Sequence, residues 1–296
     1  MLSIRKISAA GLSYRHFARY RQILTVMFKY GFEDVFGVFR MDKYLAGGLG
    51  LMSRKRRELM ANYSRFERLR MALEELGPTF IKLGQALSMR PDFVSVDFIN
   101  ELTKLQDMVP PCPFSDIQSI IESEFHCALA GLFDDFDTTP LASASIGQVY
   151  KARLKDGRTA AVKVQRPDLD HLVAVDLGIM YHLASVTERN IEEASFIRPV
   201  TIVEEFARTI FKELDYTIEA NHLERFARNF SGDATVHIPE VYRELTTRRV
   251  LTMEFIDGVK ASDIQYLDTN GMDKKLITRR GAELLLKQTF EHGFFH

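Results

Sequence analysis

Residues 140–167 read PLASASIGQVYKARLKDGRTAAVKVQRP, a pattern typical of two β-strands joined by a tight turn. Apolar and β-branched residues alternate with polar ones on both sides of Asp156-Gly157, a pair that favours a hairpin turn. In the second strand this alternation places Lys163 on the face opposite to Val162 and Val164. The stretch therefore predicts a β-hairpin that carries a lysine on a half-buried strand.

The stretches on either side of the hairpin have other periodicities. Upstream, the pattern from Glu58 to Phe125 is helical, with Pro78 as one helix start and Ser115 followed by Gln118 as another. Downstream, the pattern predicts helices over 168–190, 199–230 and 271–292, and strands over roughly 240–245 and 248–256. A hairpin with a lysine, then helices, then two strands is the order of elements in the small lobe of a protein kinase.

The lysine strand also has the chemistry of that lobe. Ala160-Ala161-Val162-Lys163-Val164 resembles the VAIK strand of kinases, whose lysine reaches the α- and β-phosphates of the nucleotide. The other interpretation is a lysine whose ammonium group simply reaches solvent from a half-buried strand. Residues 142–145 read ASAS where kinases carry a glycine-rich loop, and nearby only Gly147 adopts positive φ easily. The Cβ atoms of this loop limit how closely backbone amides approach phosphates, so it is not the loop of an ordinary kinase.

Composition excludes several other classes of protein. The 296 residues suffice for one large domain or two smaller ones. A formal net charge of −1 gives no general attraction to nucleic acid. The two cysteines, Cys112 and Cys127, are far apart, and the eight histidines are scattered. The sequence therefore predicts neither a disulfide framework nor a metal cluster, and favours a reducing compartment.

The N-terminal segment is strongly basic. Residues 1–57 contain twelve lysines or arginines and three acidic residues, a net charge of +9. One face of a predicted helix is apolar, and the opposite face carries Arg15, Arg19 and Lys29. The apolar face consists of Phe17, Tyr20, Leu24, Met27 and Phe28. Such a helix either lies on an anionic membrane or docks on its own domain with a solvated basic face. No stretch approaches the roughly 18–20 consecutive apolar residues that span a bilayer.

Several separated motifs resemble one family in the order in which that family carries them. PLASASIGQVYKA and AVKVQRP resemble the alanine-rich loop and lysine strand of the UbiB family of atypical kinase-like proteins, linked to ubiquinone biosynthesis. LGPTFIKLGQ, from Leu76 to Gln85, resembles the family's KxGQ signature, and KELDY, from Lys212 to Tyr216, resembles its ExD-bearing helix. Ser143 departs from the family's AAAS loop. The resemblance covers roughly residues 60–296 and implies roles for individual residues of this chain.

The resemblance assigns site residues to this chain. It implies two ion pairs, one between Lys82 and the Glu213/Asp215 motif and one between Lys163 and a glutamate on the same helix, for which we choose Glu219. Residues expected at the nucleotide are the alanine-rich loop, the lysine, and backbone groups near two positions of the interlobe hinge: Ala142, Ser143, Ala144, Ser145, Lys163, Glu254 and Ile256. No metal ligand is expected within the chain.

The geometry of the ExD motif raises a difficulty. On a straight helix Asp215 and Glu219 share a face, whereas Glu213 lies about 200° around the helix from Asp215. Lys82 therefore contacts both acids of the motif only if the helix bends there.

We therefore predict an α+β fold, a protein-kinase-like small lobe with an antiparallel sheet and helices, preceded by a helical extension and followed by an incomplete large lobe. The predicted segments are a basic amphipathic N-terminal segment (1–57), a helical extension with the KxGQ-like motif (58–130), the small lobe (131–256) and the start of the large lobe (257–296).

The family resemblance also implies a function. We expect an atypical kinase-like ATPase that uses ATP or another adenine nucleotide with Mg²⁺ and supports isoprenoid-quinone biosynthesis at the cytoplasmic face of the inner membrane. Expected partners are the nucleotide, an anionic membrane surface or quinone-precursor lipid, and quinone-biosynthesis enzymes, but no nucleic acid. In kinase order the catalytic loop and metal ligands follow His296. We therefore expect the chain itself to be inactive and peripheral, with a C-terminal membrane anchor missing.

Two other functions are compatible with parts of the sequence. A non-catalytic pseudokinase or lipid-binding scaffold fits the alanine-rich loop and the basic N-terminal segment equally well. A quinone-ring hydroxylase has little support, because no Rossmann glycine motif, haem motif or facial-triad cluster is visible to supply redox chemistry.

Overall fold

A computed structural model describes residues 14–32, 60, 62–92, 94–105, 110–191, 196 and 198–295 of the chain. Its elements in chain order are α1 (Tyr14–Lys29), α2 (Arg65–Leu76), α3 (Pro78–Ser88), α4 (Val96–Leu102), α5 (Phe114–Phe125), α6 (Leu129–Leu132), β1 (Phe133–Phe136), β2 (Ala142–Ser143), β3 (Gly147–Leu154), β4 (Thr159–Gln165), α7 (Leu169–Asn190), α8 (Pro199–Glu213), α9 (Tyr216–Asn229), a 3-10 turn (Arg243–Leu245), β5 (Val250–Glu254), α10 (Ile264–Thr269), α11 (Lys274–Leu286) and a π-helical turn (Lys287–Glu291).

The described residues fall into two compact units. Unit 1 is formed from residues up to 112 together with 142–148 and 165–214, and unit 2 from 113–141, 149–164 and 215 onward. The segment boundaries predicted at residues 57, 130 and 256 stay predictions.

Unit 1 is a helical assembly around one apolar core. Helix α7 packs against α8 and against α1, and α2 packs against α3 and α4. The core is lined by side chains from all of these helices, including Ala72, Leu76, Phe80, Leu102, Val173, Leu177, Ala207 and Ile210. Helix α7 is also the one helix among the described residues that is long and apolar enough to cross a membrane, and 44% of its most apolar window is buried inside the protein.

Helix α1 docks on unit 1. Its side chains Ile23 and Val26 are buried in the core, and the helix contacts α2 and α7. Arg19 Nε lies 2.7 Å from the carboxylate of Asp176, which is fully buried, and Arg19 Nη2 donates to the Leu76 carbonyl at 2.7 Å. The prediction that Arg19 lies on a solvated face is therefore wrong, because a buried carboxylate is retained only with a charged partner.

Strands β1 and β5 and most of β3 and β4 lie in unit 2 and form an antiparallel sheet with strand order β1-β3-β4-β5. The predicted hairpin is confirmed: β3 and β4 are joined through Gly157, whose φ of 88° is the left-handed value that the turn requires. Strand β4 pairs with β5 in a register that places Lys163 opposite Leu251. Below the sheet, Ile117, Ile121, Phe133, Tyr150, Val162, Val164 and Val250 form the core of the unit.

Four sequence predictions of element bounds are wrong. The helix predicted over 199–230 is two helices, α8 and α9. The strand predicted over 240–245 is a single bridge between Val241 and Met253 followed by the 3-10 turn. Helix α11 begins at Lys274 rather than near Gly271, because the Asp273 side chain accepts from two backbone amides of its first turn. Helix α5 is preceded by Pro113 and has no side-chain cap, so Ser115 is not its N-cap.

The break between α8 and α9 has identifiable causes. Asp215 is extended, with φ −122° and ψ 95°, and its carboxylate accepts from the Thr217 amide at 3.0 Å, so it starts a new helix. The Leu214 carbonyl, freed at the end of α8, accepts from Gln165 Nε2 at 2.6 Å in a buried hydrogen bond. The helix therefore bends where the geometry of the ExD motif requires it to.

Candidate functional site

Lys163 and Glu219 form an ion pair within unit 2. Lys163 Nζ on β4 lies 2.7 Å from Glu219 Oε2 in the first turn of α9. The positive end of the helix dipole further stabilises the carboxylate at this position. The two side chains are 23% and 31% exposed, so the ammonium group is fixed in direction but accessible to a ligand. The structure thus brings together the pair of residues that the sequence predicted.

An aromatic ring also holds the lysine. Lys163 Nζ lies 4.8 Å from the ring centroid of Tyr216, which is close enough for a cation–π contact. Tyr216 is buried against Ala220 and Leu251, and its backbone amide donates to the Arg248 carbonyl at 3.0 Å. Tyr216 was not predicted from the sequence as a partner of Lys163. The available signal was spacing, since Tyr216 precedes Glu219 by one helical turn and so lies on the same face.

The two acids of the ExD motif lie in different local environments. In unit 1, Lys82 Nζ on α3 lies 3.2 Å from Glu213 Oε2, at the last residue of α8. A carboxylate at the C-terminal end of a helix is unfavourable by itself, and Lys82 offsets that cost. Asp215 belongs to unit 2, where it caps α9. The Lys82–Glu213 half of the predicted pairing is therefore present as a contact, and the functional role of all three residues stays a prediction.

The glycine and glutamine of the KxGQ-like motif have packing roles. A Cβ atom on Gly84 would lie 2.3 Å from Leu105 Cδ1 and 3.1 Å from Leu73 Cδ1, so no larger residue fits without displacement. Gln85 Nε2 donates to the Leu105 carbonyl at 3.4 Å. These two contacts fix α3, and with it Lys82, against the neighbouring helices of unit 1.

The alanine-rich loop is tightly closed. The Ala144 amide donates to the Gly147 carbonyl at 2.8 Å, and Ser145 is buried. The Ser143 hydroxyl accepts from Arg166 Nη2 at 2.8 Å and from Gln148 Nε2 at 3.3 Å. Ala142 is exposed at the rim. The sequence analysis assigned no role to Arg166, although it directly follows the lysine strand.

The hinge positions are at the end of β5 in unit 2. The Glu254 amide donates to the Glu240 carbonyl at 2.8 Å and is therefore not available to an adenine ring. The Glu254 carboxylate lies 2.9 Å from His237 Nε2 and also accepts from the Glu240 amide. Burial by itself would raise the pKa of Glu254, but these hydrogen bonds outweigh burial and hold it below its usual value. Ile256 follows the strand and is 46% exposed.

No group of three or more His, Cys, Asp or Glu side chains within the described ranges is placed to hold a metal ion.

Comparisons with known proteins point to one family. Residues 104–296 match the family model described as the ABC1 atypical kinase-like domain. A probable protein kinase UbiB from Cellvibrio japonicus is 41% identical over 267 residues, which cover 88% of this chain and 48% of that protein. Another, from Aeromonas hydrophila, is 44% identical over 234 residues, covering 79% of this chain and 43% of that protein. The chain thus spans about half the length of the curated relatives it matches.

One solved structure is also similar. It is a complex of Rv3197 with erythromycin from Mycobacterium tuberculosis, 32% identical in sequence with a TM-score of 0.49. The match covers 70% of this chain and 52% of that chain.

Proposed function

Because this chain belongs to the ABC1 atypical kinase-like family, with relatives named probable protein kinase UbiB, we propose that it is the nucleotide-binding part of an atypical kinase-like ATPase. The resemblance to the UbiB family and the kinase-like α+β fold class are confirmed. The physiological role in this proposal is the support of ubiquinone or related isoprenoid-quinone biosynthesis at a membrane surface.

The observation that carries the proposal is the ion pair between Lys163 and Glu219. In kinases the lysine of the small-lobe strand reaches the α- and β-phosphates, and its pairing with a glutamate on a helix is a condition of activity. An ammonium group has three donors, and Glu219 Oε2 accepts one of them at 2.7 Å. With the Tyr216 ring beside it, Lys163 is held as a directed cation suited to an anionic phosphate chain.

The remaining cofactor contacts belong to the proposal as well. The loop residues Ala142 to Ser145 would contact the nucleotide, and the backbone near Ile256 would contact adenine. When bound, ATP with Mg²⁺ supplies the phosphoryl group and neutralises its charge. We assign Mg²⁺ coordination to no described residue.

A membrane surface is the proposed location. The support is electrostatic, because the net charge of +9 over residues 1–57 would attract anionic lipid headgroups. The side chains Ile23 and Val26 of α1 are buried in unit 1 and are not available to lipid. A quinone-precursor lipid and other quinone-biosynthesis enzymes are further proposed partners.

The first experiment measures Mg-ATP hydrolysis by the full-length protein, with and without anionic liposomes. Lys163→Ala should raise the KM for ATP or lower turnover by about 10- to 100-fold, as expected for about 1.5–3 kcal/mol from a charged hydrogen bond. The matched control is Lys155→Ala in the same hairpin, where an exposed lysine donates to the Ala130 carbonyl. It should behave as wild type.

The outcomes separate the two functions. Lysine-dependent turnover that liposomes stimulate would support a membrane-stimulated ATPase. Nucleotide binding without turnover, in a folded protein, would favour a pseudokinase or lipid-binding scaffold. Equal activity of the Lys163 and Lys155 variants would count against both the site and the proposed function.

A further inference from the structure

The side chain of Arg166 connects two separate stretches of unit 1. This residue directly follows β4, and its guanidinium donates from Nε to the Ala144 carbonyl at 2.9 Å and from Nη2 to the Ser143 hydroxyl at 2.8 Å. The same group contacts the Pro110 carbonyl at 3.0 Å and the Cys112 sulfur at 3.2 Å. The alanine-rich loop is thereby fastened to the segment around residues 110–112.

The backbone of the same residue adds a further restraint. The Arg166 amide donates to the Ile146 carbonyl at 3.1 Å, on the far side of the loop from Ser143. Gln148 Nε2 donates to the Ser143 hydroxyl from within the hairpin. Ser143, Ala144 and Ile146 therefore each accept a hydrogen bond from Arg166, and these bonds restrain the conformation of the loop.

The composition of the loop explains why such a restraint matters. A glycine-rich loop lets its backbone close around phosphates, whereas the side chains at residues 142–145 give each position a Cβ atom that restricts this adjustment. The position of this loop therefore has to be correct before a ligand arrives. A guanidinium is suited to holding the loop in position, because it is planar and its donors point at fixed angles to several acceptors at once. A lysine ammonium lacks this fixed arrangement of donors.

We propose that Arg166 is a positioning residue that holds residues 142–145 in the conformation in which they contact the bound nucleotide. The inference rests on the proposed function, because it requires that this loop contacts a nucleotide. Arg166 would act through Ser143 and Ala144, the two loop residues to which its side chain donates.

The test compares MgATP affinity of the full-length protein carrying Arg166→Gln, Arg166→Lys or Ser143→Ala. Arg166→Gln should weaken binding about tenfold, since displaced ligand-contacting groups commonly lose one or more powers of ten. Arg166→Lys should recover part of that loss. The matched control is Arg153→Gln on β3, whose guanidinium pairs with Asp134 at 2.8 Å on the surface of unit 2 and should leave affinity unchanged.

Two further readouts distinguish positioning from general stability. The double variant should lose less affinity than the sum of the losses in Arg166→Gln and Ser143→Ala. The reason is that both substitutions remove the same hydrogen bond, the one between Arg166 and the Ser143 hydroxyl. Hydrogen exchange at the Ala144 amide should be faster in Arg166→Gln, with unchanged exchange in the β4–β5 pairing. Full additivity together with unchanged exchange in the loop would overturn the inference.

The inference and the proposed function fail in different ways. If Lys163→Ala loses MgATP affinity and Arg166→Gln does not, the proposed function stands and the inference is overturned. If the wild-type protein does not bind MgATP at all, the proposed function fails and the inference fails with it.

Discussion

At the scale of single residues, the decisive feature is how Lys163 is held. A lone lysine on a strand would sample many directions, because its four-carbon side chain carries large rotamer entropy. Here the ammonium of Lys163 forms an ion pair with Glu219, with 2.7 Å between Nζ and Oε2. It also lies 4.8 Å from the ring centroid of Tyr216. The two partners lie one turn apart on α9, so a single helix sets the direction of the cation.

We predict that the ring of Tyr216 contributes to the binding of the phosphates of ATP and not to the binding of the nucleoside. Tyr216→Phe keeps the cation–π face and should bind ATP as wild type, whereas Tyr216→Leu should lose about 0.5–2 kcal/mol of affinity for ATP. Binding of adenosine, measured by the same calorimetry, should be unchanged in both variants, because adenosine carries no phosphate for Lys163 to contact.

The control for this prediction is Tyr242→Leu. Tyr242 is also buried in unit 2, and its ring also receives a cation, with Arg158 Cζ at 4.6 Å from its centroid. Its loss should destabilise the fold without changing the affinity for ATP. Equal weakening of ATP and adenosine binding by Tyr216→Leu would show a structural role only.

At the scale of elements, the break between α8 and α9 organises the acidic motif. One continuous helix would put Glu213 and Asp215 on nearly opposite sides. Because the chain is extended at Asp215, α8 ends at Glu213 beside Lys82, and α9 begins afresh with its dipole directed at Glu219. The boundary between units 1 and 2 falls at the same point of the chain.

We predict that Asp215 contributes to stability mainly as a helix cap. Asp215→Ala should lower the free energy of unfolding by about 1 kcal/mol, whereas Asp215→Asn, which retains the acceptor oxygen, should be close to wild type in chemical denaturation. Asp273→Ala at the start of α11 is a matched cap deletion, since that carboxylate accepts from the Lys275 and Leu276 amides. A full-size loss in Asp215→Asn would show that the charge, and not the cap, is what the fold uses.

At the scale of the whole molecule, positive charge is unevenly distributed along the chain. The excess of positive charge is concentrated in residues 1–57, while the chain as a whole has a net charge of −1. The described part of that segment, α1, buries Ile23 and Val26 in the core and commits Arg19 to Asp176. Attraction to a membrane would therefore depend on the remaining basic residues and on ionic strength.

We predict that anionic vesicles bind the full-length protein by charge. Replacing Arg54, Lys55, Arg56 and Arg57 by glutamine should weaken co-sedimentation with phosphatidylserine-containing vesicles, at about 1 kcal/mol per charge, and raised salt should do the same. Phe17→Ser, at an exposed apolar residue of α1, should have little effect. If Phe17→Ser abolishes vesicle binding and the fourfold glutamine variant does not, the protein binds the vesicle by inserting apolar side chains and not by charge.

The sequence was sufficient for features that are encoded over a few neighbouring residues. Alternation and Asp156-Gly157 predicted the hairpin and the face of Lys163, and Pro78 predicted the start of α3. The family resemblance supplied the Glu213/Asp215 motif as the partner of Lys82 and a glutamate on the same helix as the partner of Lys163, for which Glu219 was chosen. These predictions held because period and turn chemistry are local properties of the chain.

The tertiary structure was needed wherever a group's partner is distant along the chain. Gln165 donates to the Leu214 carbonyl, Arg166 donates to the Ser143 hydroxyl, and Asp176 accepts from Arg19, which lies 157 positions away in the sequence. A helical pattern runs unbroken through residues 199–230, and the geometry of the ExD motif called for a bend only if Lys82 contacts both acids, so the extended backbone at Asp215 is established only by the structure. Whether a polar group is satisfied depends on which segments meet in the folded core, and that is fixed only when the whole chain packs.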